Sequence, residues 1–200
     1  TTGATLRILQ RIQDKKITVH YVRPEKNFLS NKQKLRERMT CGILQELTRS
    51  GVFSKIYLYD ALEVLKEAEV NFLQKKDYVA STIAGMFHMT NYIKNTEGLF
   101  TNVEEPSEVN RISSFGMVNP ENGEEMLHFP LDSIREKCYY FVMSKKALET
   151  PGVVEKINNQ IQENNEQASF KIIDSEWSDN HVYVEAFTNV VQTTQNKTED

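Results

Sequence analysis

Two apolar runs in the first third of the chain end in residues able to hold a ligand. ITVHYV (17–22) stops at Arg23-Pro24-Glu25, and KIYLY (55–59) stops at Asp60. Each run is apolar enough to be a strand covered on both faces, too apolar for a sheet edge. Between them lies a helical stretch opened by Ser30, carrying Leu35, Met39, Ile43 and Leu47, and stopped by Gly51. Strand, helix and strand with short links predict a parallel βαβ unit, and ligands bind at the carboxyl ends of parallel strands. Phe72 and Asp77 follow, near the amino end of a long helical pattern. An aromatic ring and two carboxylates suit a purine: the ring stacks, and the carboxylates accept ring N–H groups. Guanine offers two such donors on one edge. The same residues also read as solvated turns and caps.

A second group lies in TNVEEPSEVNR (101–111), where Glu104, Glu105 and Glu108 follow Asn102. A carboxylate can orient or activate a water for attack on phosphate. An acidic surface loop has the same composition. A third group, Thr2-Gly3-Ala4-Thr5, opens a helical pattern. Backbone N–H groups there can meet a phosphate, or form a bare cap.

Other chemistries are excluded. There is no hydrolase triad, zinc set or paired-cysteine motif. His20, His88, His128 and His181 are scattered one per element and read as structural. Cys41 and Cys138 sit in apolar settings and read as reduced core thiols of a cytoplasmic protein. A net charge of -4 gives no electrostatic footprint for nucleic acid. The 39 % hydrophobic and 26 % charged residues are those of an ordinary soluble domain. No apolar run is long enough to cross a bilayer, and no signal peptide is recognisable. The chain opens on Thr rather than Met, which implies that it is processed, cut or partial.

The element meant to link these groups is residues 70 to 95. Leu73, Val79, Ile83 and Phe87 follow one helical stripe; Tyr78, Thr82, Gly85, Met89 and Tyr92 follow a second. Two apolar sides predict a buried helix, about 40 Å long if unbroken. It reads as a central helix with a sheet-bearing layer on each side, or as the core helix of one ordinary domain. Beyond it, SSFGMV and MLHF flank Asn122-Gly123, a hairpin turn signal. CYYFVM (138–143) reads as a strand. Thr150 with Pro151 opens a helix. FKII (170–173) and HVYVEAFTNV (181–190) read as a further hairpin around Trp177 to Asn180. The expected fold class is α/β: a parallel βαβ remnant of a nucleotide-binding domain, a long central helix, then a smaller α+β domain with a mixed sheet. The boundary falls in the acidic loop, near 100 to 110.

Taken in order, TGATLRILQRI, KKITVHYVRP, the helix to CGILQEL, KIYLYDAL and the long helix resemble the tubulin/FtsZ family. The likeness covers element order, spacing and local residues across most of the chain. In that family a glycine-rich phosphate loop opens the first helix, and Thr2-Gly3-Ala4 looks like its last part. Pro24 and Glu25 fall at the Pro turn near the ribose. Asp60 falls at the guanine-facing position, where Asn is usual. Phe72 and Asp77 fall where an aromatic and an Asp hold the base, the aromatic one position out of register. The family's Gly-Leu-x-Asn-x-Asp-x-x-Asp loop corresponds to Gly98-Leu99 through Asn102, Glu104, Glu105 and Glu108. That loop projects into the next subunit's nucleotide site and completes hydrolysis there.

The resemblance implies a GTP-binding cytoskeletal protein that assembles head-to-tail with copies of itself and takes GTP or GDP with Mg2+. Asn102, Glu104 and Glu108 would act in trans. Residues 1–69 would complete the GTP-binding domain, 70–97 form the central helix, 98–192 form the C-terminal domain, and 193–200 be a disordered tail. By itself the chain is expected neither to hydrolyse GTP efficiently nor to polymerise. Glu replaces Asp at each loop acid, the loop carries an insertion, and most of the glycine-rich loop is absent. These departures motivate a second reading, a scaffold of the same architecture without hydrolysis. A third comes from EKCYYFVMSKKALETPGVVEKINNQI (136–161), which resembles the strand-helix segment of a periplasmic-type solute receptor.

Overall fold

The computed structural model describes residues 7, 8, 11, 12, 15–66, 68–119, 123–164, 168–176 and 179–193, and no side chain at 158 or 160–164. Strands β1 (Thr18–Arg23) and β2 (Lys55–Asp60) run parallel, in register from Thr18↔Lys55 to Arg23↔Asp60. Helix α1 (Asn31–Arg49) forms the crossover. Its start is a capping box: the Ser30 side chain accepts from the Gln33 N–H, and the Gln33 side chain accepts from the Ser30 N–H. Gly51, at φ +84°, turns the chain back to the sheet. The βαβ unit is as predicted.

The position of β1 is not. It is the first strand of the sheet, at its edge. Its apolar residues report cover on both faces, not neighbours on both sides. Val19 and Tyr21 pack with Cys41 and Leu44 of α1, while His20 meets Phe87 edge-on, 5.1 Å between ring centres.

Asp60 caps a short helix, α2 (Ala61–Leu65), and the central helix α3 (Lys75–Asn95) follows. It is a single 21-residue helix and starts five residues later than the periodicity suggested. The Asn71 side chain accepts from the Leu73 and Gln74 N–H groups, which holds 72–74 in a turn instead. The expected burial on two sides is also overturned. Met89, Thr90 and Ile93 are buried. Ile83, Met86 and Tyr92 pack beside them against Tyr57, Phe115, Tyr140 and Phe187 of the sheet. Phe87 of the first stripe and Tyr78 of the second are exposed. Among the described residues, no layer covers the face of α3 turned away from the sheet.

The rest of the chain supplies β3 (Phe100–Thr101), β4 (Ile112–Val118), β5 (Glu125–Leu127), β6 (Glu136–Ser144), α4 (Lys145–Leu148), α5 (Val153–Asn164), β7 (Ala168–Ser175) and β8 (His181–Thr188). The sheet has eight strands in the order β1-β2-β4-β8-β6-β7-β3, with β5 paired to β4. β4 and β5 form the expected hairpin. Its register needs Gly116, because a Cβ there would lie 2.1 Å from the Met126 carbonyl.

The second expected hairpin does not form. β8 pairs antiparallel with β4 and β6, and β7 lies on the far side of β6, parallel to it. All of β8 beyond its first residue is buried, so it takes the middle of the sheet, where strands cover both its edges. The sheet also crosses the expected domain boundary, through two residue pairs, Ile56↔Ile112 and Tyr57↔Ser113.

Candidate functional site

The carboxyl ends of β1 and β2 carry two linked clusters. Arg23 and Asp60 are register partners, and their side chains form an ion pair. Asp60 Oδ2 accepts from Arg23 Nε at 2.9 Å, and Oδ1 accepts from the Leu62 N–H at 3.0 Å. The guanidinium lies 4.4 Å from the centre of the Phe129 ring. Asp60 is buried, and both its oxygens are occupied by the protein. It works here as a helix cap and ion-pair partner.

Beside this pair, Glu25 meets Lys75 of the first turn of α3 at 3.2 Å. Phe72 meets Phe28 edge-on at 5.6 Å, and Lys75 Nζ lies 6.0 Å from the Phe28 ring centre. Phe72 is 67 % exposed, so its face is open for stacking. Pro24 is exposed between the clusters, and Asp77 is exposed in the first turn of α3. Thus Glu25, Asp60 and Phe72 are brought to one end of the sheet, together with Arg23, Phe28 and Lys75. Phe28 and Lys75 were missed, because nothing in sequence ties a residue after β1 to one opening α3. Thr2, Gly3 and Ala4 lie outside the described residues.

The acidic loop occupies the other end of α3. Asn102 extends the pairing of β3 with β7: its N–H donates to the Phe170 carbonyl at 3.1 Å, and its Oδ1 accepts from the Phe170 N–H at 2.6 Å. Glu136 accepts from the Ser107 N–H and from Asn110 Nδ2. The Glu108 carbonyl accepts from Arg111 Nε at 2.5 Å. These ties hold the loop and leave the Glu104, Glu105 and Glu108 side chains exposed. Among the described residues no group of three or more His, Cys, Asp or Glu is placed to hold a metal ion.

A third cluster had no counterpart in the sequence reading. Glu185, in the middle of β8, is completely buried. Its Oε1 accepts from Tyr57 at 2.6 Å, Lys55 at 3.2 Å and Lys94 at 3.3 Å, and its Oε2 accepts from Tyr140 at 3.1 Å. Burial alone would raise the Glu185 carboxyl, but Lys55 and Lys94 outweigh it and hold the pKa below the usual value. Burial and Glu185 together push the Tyr57 and Tyr140 hydroxyls upward. The one signal was a glutamate inside an otherwise apolar strand, HVYVEAFT. These residues floor a cleft of about 890 Å³ between α3, the acidic loop and the sheet.

The chain is similar to solved structures over nearly its whole length. One is an FtsZ dimer from M. jannaschii, at 7 % identity and TM-score 0.64, covering 94 % of this chain and 59 % of that one. Another is a GTPγS-form protofilament of TubZ from Bacillus thuringiensis serovar israelensis, at 14 % identity and TM-score 0.63, covering 96 % and 58 %. The fold is tubulin/FtsZ-like. A third structure with this tubulin/FtsZ-like fold, the GTPγS-bound CetZ2 protofilament from Haloferax volcanii, aligns at 11 % identity and TM-score 0.62 over 96 % and 62 %. The chain therefore spans 58–62 % of the length of TubZ, FtsZ and CetZ2 in these structures. The fold is that of the first two expectations rather than of a receptor lobe. No protein-family model matches the chain, and no curated protein matches it in sequence. Among the described residues of this tubulin/FtsZ-like chain, no helix is long and apolar enough to cross a membrane.

Proposed function

We propose that this chain is part of a tubulin/FtsZ-like GTP-binding protein that assembles head-to-tail into filaments, with hydrolysis completed by the acidic loop of the neighbouring subunit. One arrangement carries the reading: α3 has an open aromatic and ionic cluster at its amino end and exposed carboxylates beyond its carboxyl end. A head-to-tail contact would bring the second set against the first, and such a contact propagates as a filament when it does not close into a ring. The TubZ and CetZ2 structures are GTPγS protofilaments, which supports a guanine nucleotide as ligand and self-assembly as partner.

In this reading Phe72 stacks on the base. Asp77 accepts its N–H donors, Asp60 stands at the rim, and Pro24 and Glu25 lie toward the ribose. Thr2, Gly3 and Ala4 would contact phosphate. Mg2+, when bound with the nucleotide, would neutralise phosphate charge. Glu104 and Glu108 would orient the attacking water from the adjoining molecule. The test is GTP turnover against protein concentration for the complete protein. Turnover per subunit should rise with concentration, and Glu104→Gln should lower it about 100-fold or more while nucleotide binding is kept. A concentration-independent rate removes the shared site.

One observation favours the second reading, a scaffold that assembles without hydrolysis. The Asn102 side-chain oxygen already accepts from the Phe170 N–H, which ties that side chain to β7 instead of leaving it free to turn toward a water in a neighbouring subunit. Assembly of the complete protein with no measurable turnover would select it.

A further inference from the structure

Helix α1 turns an apolar strip to solvent. Cys41, Leu44, Gln45 and Thr48 form its buried face. Leu35, Met39 and Ile43 are 50 %, 57 % and 44 % exposed. At about 100° per residue the two sets lie on opposite sides of the helix. A Cβ at Gly42, beside the strip, would meet nothing within 4 Å. Single exposed apolar side chains are ordinary, but three in line, one per turn, make a continuous strip.

The strip has a charged residue at each end, Lys32 and Glu46, and both are exposed. Residues 32, 35, 39, 43 and 46 fall within about 80° of the helix circumference. Their steps of three, four, four and three read the same from either end, with Met39 at the centre. A second α1 laid antiparallel about a two-fold axis at Met39 therefore sets Leu35 of each copy against Ile43 of the other, Met39 against Met39, and Lys32 against Glu46. A parallel pair would set Lys32 against Lys32 and Glu46 against Glu46, and like charges repel. Glu46 already meets Arg49 of its own helix at 3.2 Å, but that pair is exposed on both sides, and a carboxylate accepts more than one donor.

We infer that the outer face of α1 is a two-fold contact between copies of this chain, with the helices antiparallel, Met39 on the axis and a Lys32–Glu46 ion pair at each end. The contact uses one patch on both copies, so it closes at two. It lies apart from the two ends of α3 assigned to the head-to-tail contact and needs no nucleotide, so either contact can fail without the other.

The experiment is sedimentation of the chain, without nucleotide, from about 10 to 500 µM, because one helix pair buries less than a standard interface and binds weakly. A monomer–dimer equilibrium that stops at two is expected. Met39→Glu places two carboxylates on the axis and should weaken it at least about tenfold. Lys32→Glu and Glu46→Lys should each weaken it about fivefold, and the two changes together should restore it. Cross-linking checks the register. The Met39→Cys variant oxidised with diamide should give a disulfide-linked dimer. The Leu35→Cys variant should not, because the two copies of position 35 lie about 12 Å apart along the pair. Cys41 and Cys138 are buried, and the unaltered chain is the control for them. All the altered side chains are exposed, and the thermal unfolding of each variant should match that of the wild type. The inference is overturned if the chain stays monomeric, as it would if another partner covers the strip. It is equally overturned if folded Met39→Glu dimerises like the wild type, if the double charge exchange restores nothing, or if Leu35→Cys cross-links as readily as Met39→Cys.

Discussion

Lys94 Nζ and the Glu185 carboxylate lie 3.3 Å apart, joining the last turn of the central helix to the middle of the sheet. Glu185 is the register partner of Phe115 on β4 and Cys138 on β6, so the contact reaches the strand on which the sheet is centred. Glu185→Gln removes a carboxylate that holds two ammonium groups in a dry site, and should cost about 3 kcal/mol of stability in urea unfolding. Lys94→Met should cost less, about 1 kcal/mol, because its side chain is partly solvated and Lys55 remains on Glu185. Equal losses would show that the network is not centred on the carboxylate.

Arg23 and Asp60 make a different kind of pair. Asp60 needs both the guanidinium and the Leu62 N–H, so removing Arg23 leaves a buried carboxylate only half satisfied. Arg23→Ala should destabilise the chain by about 3 kcal/mol. Adding Asp60→Asn to that variant should restore part of the loss, since the amide keeps an oxygen for the cap without the buried charge. A double-mutant cycle with purely additive losses would mean that the pair is not coupled.

Stability should fall as the pH drops from 7 toward 5. Burial lowers the pKa of His128, and burial with Lys94 lowers that of His20, both from an ordinary 6.5. With the folded value below the unfolded one, the unfolded chain binds more protons in the interval between them. The stabilisation is complete above about 6.5 and is lost as the pH falls through the lowered folded values. Glu185 adds the same sign at lower pH, because its folded pKa is also depressed. His128→Phe should flatten the curve measured by thermal unfolding between pH 7 and 5. An unchanged curve would place the effect elsewhere.

Much of the fold was legible along the chain. The apolar runs 17–22 and 55–59 are the parallel pair, Ser30 does open α1, and the Asn122-Gly123 signal does separate two antiparallel strands. Local sequence carries such features because they depend on side-chain periodicity and on the cap or turn residue at each end. The site was legible in part. Asp60, Glu25 and Phe72 do converge at one end of the sheet, since strand direction alone decides which ends lie together.

The sequence by itself determined most of the longer elements, their order, and the βαβ crossover; it did not mark α2, β3 or α4. Only the tertiary structure decided that β8 enters between β4 and β6, that β1 stands at the edge, that α3 buries one face, and that Glu185 faces two lysines. The reason is physical. Periodicity states which faces of an element avoid water, and that is a property of neighbours three or four positions apart. Which element covers each face depends on pairings between residues more than a hundred positions apart, such as Lys55 with Glu185. Those are settled by packing the whole sheet at once.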